Sequence, residues 1–77
     1  MYCKDVEYSN HSVFKLIERE ISVDDVEAIL ETGEVIKEYL NDKPYPSFLI
    51  LGFIKGKPIH IVTAYYKKTC IIITKIE

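Results

Sequence analysis

Seventy-seven residues, 48% of them hydrophobic and 29% charged, make one small globular domain over 1–77 and exclude a disordered segment. A chain this short buries only about 60% of its unfolded surface, which leaves no room for two lobes around a deep substrate cleft. The net charge of −2 is unevenly spread: residues 1–42 carry four cations against eleven acids, and residues 43–77 carry six lysines against Glu77 alone.

No apolar run approaches the roughly 20 residues of a membrane span, and the first residues lack a signal-peptide core. Cys3 and Cys70 are too few to staple a secreted miniprotein, so a cytoplasmic chain with reduced thiols and no membrane partner is expected. Residues 5–8 could form a short strand. Residues 9–20 predict a helix, capped by Ser9 or Asn10, with Val13, Phe14, Leu16, Ile17 and Ile21 recurring along one buried arc. Residues 22–32 predict a second helix. Ser22 caps it, Asp25 takes the capping-box position, and Val26, Ile29 and Leu30 form its buried stripe. Gly33 is expected to end it in the left-handed conformation.

Strands are expected over 34–39, 47–54, 57–66 and 69–76, rich in the chain's twelve isoleucines. Asn41 to Pro46 form a loop, and Lys55-Gly56 and Lys67-Lys68 are two-residue turns. The fold class is therefore α+β: two N-terminal helices on a three- to four-stranded antiparallel meander. Such turns set Leu51 opposite His60, and His60 opposite Lys75. They give one face Leu49, Leu51, Phe53, His60, Val62, Ala64, Ile71 and Ile73. The other face gets Phe48, Ile50, Ile59, Ile61, Tyr65, Cys70, Ile72 and Ile76. Two short helices cover one face, so a homodimer or heteromer is expected on the other.

Histidine is the side chain that titrates near neutral pH. His11 and His60, with Lys15 or Arg19, have the chemistry to cleave RNA: one group takes the 2′-hydroxyl proton, another protonates the leaving oxygen, and a cation steadies the phosphorane. However, His11, Lys15 and Arg19 project away from the apolar arc of their helix. Lys55, Lys57, Lys67, Lys68 and Lys75 could contact RNA or an acidic partner segment; turn lysines also simply keep sheet edges soluble. Tyr39, Tyr45, Tyr65 and Tyr66 could stack on bases. Cys3, His11, His60 and Cys70 lack the close spacing of a structural metal site, so neither metal nor cofactor is expected.

The ordered landmarks Ser9-x-His11, Glu18-Arg19-x-Ile21-Ser22, Gly33-Glu34-Val35-Ile36, Pro44-Tyr45-Pro46-Ser47, Leu51-Gly52, Lys57-Pro58-Ile59-His60-Ile61-Val62 and Ile72-Ile73-Thr74 resemble the domain-of-unknown-function family DUF4258 over roughly residues 8–76. That family is similar to the RelE/ParE toxin superfamily, two helices followed by an antiparallel sheet. The resemblance implies a toxin-like ribonuclease or ribosome-directed inhibitor with an antitoxin protein as partner, the antitoxin often a small zinc-finger protein encoded next to it. His11, Arg19 and His60 match the family's recurrent polar residues, and Lys15 stands where arginine is common. Glu20 replaces a common glycine, which would lengthen the first helix. Ile76 replaces a tyrosine, and the proline-containing tail is missing. A non-catalytic homodimeric interaction module is the alternative, with an acidic segment adding to a sheet edge.

Overall fold

The computed structural model describes residues 1–74. Its elements are β1 (Asp5–Tyr8), α1 (Asn10–Arg19), α2 (Val23–Thr32), β2 (Glu34–Tyr39), β3 (Ser47–Ile54), β4 (Lys57–Tyr66) and β5 (Thr69–Thr74). All five strands form one sheet in the order β1-β5-β4-β3-β2. Strands β2 to β5 pair antiparallel, but β1 lies parallel to β5, with Asp5 beside Thr69 and Tyr8 beside Ile72. The expected three- to four-stranded antiparallel meander is thus overturned: the sheet is mixed and has five strands. The three reversals of the meander leave β5 antiparallel to β2, and the two helices carry the chain from β1 at one edge of the sheet to β2 at the other.

Both helices are fixed at their starts by side-chain oxygens. The Ser9 hydroxyl accepts from the Ser12 N–H at 3.2 Å and donates to the Ile73 carbonyl at 2.9 Å, so one group caps α1 and ties it to β5. At α2 the Asp25 N–H donates to the Ser22 hydroxyl at 3.0 Å, and the Ser22 N–H donates to the Asp25 carboxylate at 3.2 Å. The shorter acid therefore closes the capping box.

The helix ends differ from expectation. Glu20 does not lengthen α1. It adopts the left-handed conformation (φ 56°, ψ 40°), and its N–H turns back to the carbonyls of Leu16 and Ile17. Gly33 is not left-handed but extended, at φ −72° and ψ 170°. Glycine is required there by space, since a Cβ would stand 2.8 Å from the Ile50 side chain and 2.9 Å from the Leu51 carbonyl.

The helices cover one face of the sheet. Leu16, Val26, Ile29 and Leu30 close on Ile50, Ile59, Ile61, Cys70 and Ile72. Gly52 admits α2, because a Cβ would come within 2.7 Å of the Ile29 side chain. The arc expected to be buried on α1 is mostly not. Ser12 and Leu16 are its buried residues, while Val13, Phe14 and Ile17 stand 41, 72 and 71% exposed. Ser12 and Leu16, one turn apart, define the line of contact; Val13 and Ile17 lie about 100° further round. Among the described residues no helix is long and apolar enough to cross a membrane.

The expected free thiols are also overturned. Cys3 and Cys70 form a disulfide with their Cα atoms 5.6 Å apart. Parallel pairing of β1 with β5 sets Val6 beside Cys70, and the Lys4 N–H donates to the Lys68 carbonyl at 2.7 Å. That geometry, which the 67-residue separation conceals, brings the two sulfurs together.

Candidate functional site

The sheet face away from the helices is built by alternation. Leu49 pairs with Val62, Leu51 with His60, Phe53 with Pro58 and Ala64 with Ile71. Their neighbours one residue along, Ile50, Ile59, Ile61 and Ile72, point into the core. The loop shields one end of this open face: Ser47 and Ala64 are buried, the Ser47 hydroxyl donates to the Asp42 carboxylate, and Tyr45 stacks on Tyr66 with ring centres 4.4 Å apart. At the other end Phe53 is 64% exposed. Ile73 falls where the register slips, since Thr63 pairs with Ile72 but Val62 pairs with Thr74. This bulge replaces the register expected to set His60 opposite Lys75, and Lys75 and Ile76 lie outside the described residues.

The four residues with nuclease chemistry are not brought together. His60 stands half-buried on the open face, while His11, Lys15 and Arg19 belong to α1 on the opposite side of the sheet. The Lys15 ammonium lies 3.9 Å from the Glu18 carboxylate. Arg19 instead joins Lys55 and Lys57 around a groove of about 360 Å³, which Glu20 and Asp25 also line. Lys67 and Lys68 lie at the opposite end of β4 from Lys55 and Lys57, so the candidate binding lysines form two groups.

Both turns require left-handed backbone. Lys55 and Gly56 have φ of 52° and 79°, and Lys67 and Lys68 have 48° and 64°. The Lys67 ammonium sits 5.3 Å from the centre of the Tyr66 ring, and Lys37 sits 5.5 Å from that of Tyr39. The Tyr65 hydroxyl donates to the Tyr2 carbonyl at 3.0 Å, and its ring meets Phe48 edge-on. The tyrosines offered for base stacking are thus engaged with one another, with lysines or with backbone.

A further concavity lies between α1, the start of α2 and β1. It measures about 510 Å³ and is lined by Tyr8, Val13, Leu16, Ile17, Glu20, Ile21, Ser22 and Val23. The Tyr8 hydroxyl is shielded from solvent and has no hydrogen-bond partner among the described residues. Its pKa is raised by burial first, then by the carboxylates of Glu27 and Asp24. The signal for this groove was present in the sequence as Val13 and Ile17, four residues apart, but periodicity alone assigns such a pair to a core. Among the described residues no three His, Cys, Asp or Glu side chains cluster as a metal site would need.

No curated protein and no solved structure matches the chain, and the expected similarity to RelE/ParE toxins is not confirmed. Residues 8–76, spanning both helices and the antiparallel part of the sheet, match the domain of unknown function DUF4258, and the chain belongs to that family.

Proposed function

We propose that this protein is a non-catalytic interaction module that self-associates through the open face of its sheet. The observation that carries this is the row Leu49, Leu51, Phe53, Val62 and Ile71, apolar and turned away from the helices, with Phe53 64% exposed at its uncovered end. The apolar row lies on β3, β4 and β5, and three strands about 4.8 Å apart and about 20 Å long span roughly 300 Å². Asp5 and Glu7 on β1 and Glu34 and Lys37 on β2 border it. A monomer's largest apolar patch is commonly of this size and is often functional. Two such faces together bury about 600 Å², below the 1,200 Å² of stable complexes, so the dimer is a weak and concentration-dependent one.

The separation of His60 from His11, Lys15 and Arg19 favours docking over a toxin-like ribonuclease, whose acid, base and cation must reach one phosphate. An acidic segment adding as a strand would need the outer edge of β2 or of β1, since β1 covers β5, and both edge strands carry acids themselves. The test is sedimentation equilibrium over a wide concentration range. The parent chain is expected to move from monomer towards dimer, and Phe53→Glu to weaken that association about tenfold or more, because a charge would be buried at the seam. A parent that stays monomeric at millimolar concentration refutes the reading.

A further inference from the structure

We propose that the groove between α1 and α2 is the docking site of a basic amphipathic helix supplied by a partner protein. It lies on the opposite side of the sheet from the self-association face and does not depend on it.

Three observations converge. The first is shape and polarity. Tyr8, Val13, Leu16, Ile17, Ile21 and Val23 enclose about 510 Å³, with Val13, Ile17 and Val23 themselves 41, 71 and 48% exposed. Phe14, on the same helix, is 72% exposed. A helix laid into a groove of this kind presents apolar side chains at i, i+3 or i+4, and i+7.

The second is charge. Glu20 lines the groove, and Asp24 and Glu27 are near enough to Tyr8 to act on its hydroxyl. Lys15 lies near Glu18, 3.9 Å from its carboxylate. Glu20 also lines the adjoining groove with Arg19, Lys55 and Lys57, so the negative edge here is carried by Asp24 and Glu27. An apolar groove edged by carboxylates is complementary to lysine and arginine flanking an apolar stripe. The same carboxylates disfavour a second copy here, since two such grooves would bring like charges together.

The third is Tyr8, which lines the groove and whose hydroxyl is a shielded donor with no acceptor. A small shift of this ring on docking would bring the hydroxyl to a carbonyl at the end of the docked helix.

The test uses the purified full chain and a fluorescent helical peptide of about 16 residues, with leucine at helical spacing and lysine elsewhere. One control peptide carries glutamate for every lysine. A second has the same composition scrambled so that the leucines share no face. By fluorescence anisotropy the basic amphipathic peptide is expected to bind about tenfold or more tightly than either control. Ile17→Lys, an exposed position, is expected to cut that affinity about tenfold, and Tyr8→Phe several-fold, with circular dichroism unchanged. Phe53→Glu is expected to leave peptide affinity at the parent value, which separates failure of this site from failure of self-association. Equal binding of either control peptide, or full affinity in Ile17→Lys, overturns the proposal. So does self-association that survives Phe53→Glu but is lost in Ile17→Lys, because a second copy would then occupy the groove.

Discussion

Tyr8 carries its hydroxyl to a place where nothing accepts its proton. Burial and the neighbouring carboxylates raise its pKa, so the fold favours the protonated phenol. That contribution is intact below the unfolded tyrosine pKa of about 10 and is lost as pH climbs through the higher folded value. Tyr8→Phe is therefore expected to match or exceed the parent's urea midpoint at pH 7, since it removes an unpaired buried group. It should also lose less stability than the parent between about pH 9 and 11, measured as paired denaturation curves. Glu20 is a second residue whose cost is local. A side chain in left-handed backbone costs about 1–2 kcal/mol, and glycine returns part of this as chain entropy. Glu20→Gly is expected to raise stability by about 0.5–1 kcal/mol in urea, with α1 still ending at Arg19.

At the scale of the elements, the two hairpin turns make a comparison inside one sheet. Lys55-Gly56 puts glycine at one of its two left-handed positions, whereas Lys67-Lys68 has none. Replacing Lys67-Lys68 by Asn-Gly is expected to add about 1 kcal/mol, after allowing for the lost contact of Lys67 with Tyr66, and thermal melts would show it.

These turns explain how far the sheet could be read from its residues. A two-residue turn between apolar runs fixes parity, so Leu51 opposite His60 follows from Lys55-Gly56 alone. The bulge at Ile73 could not be read, because an inserted isoleucine among isoleucines leaves no mark on the pattern. Residues 5–8 were legible as a short strand, but their parallel pairing with β5, more than sixty positions away, was not. Gly33 was recognisable as a stop, but composition does not tell a glycine that turns left-handed from one that makes room for Ile50. The candidate site divided in the same way. Each histidine and each lysine could be named from the sequence, but which face α1 turns to the sheet could not. That choice placed Arg19 beside Lys55 rather than His60, and left Ile17 outside the core.

For the whole molecule, the disulfide sets the largest single term in stability that the chain controls chemically. In the chain-entropy picture, closing a ring of this size removes about 4 kcal/mol of unfolded-state freedom. For a 77-residue domain that is a large fraction of the total. Reduction with a small thiol is expected to lower the urea midpoint by an amount equivalent to about 2–4 kcal/mol, and Cys3→Ser with Cys70→Ser together should reproduce it without reductant.

The same crosslink has a mechanical corollary. Pulled by residues 1 and 77, the oxidised polypeptide can pay out only the few amino acids that lie outside the ring between Cys3 and Cys70, about 30 Å of contour. The reduced one would stretch almost ninefold further. Force applied along the backbone would therefore leave β2, β3 and β4 slack, and these strands would feel tension only once the sulfur–sulfur bond is gone.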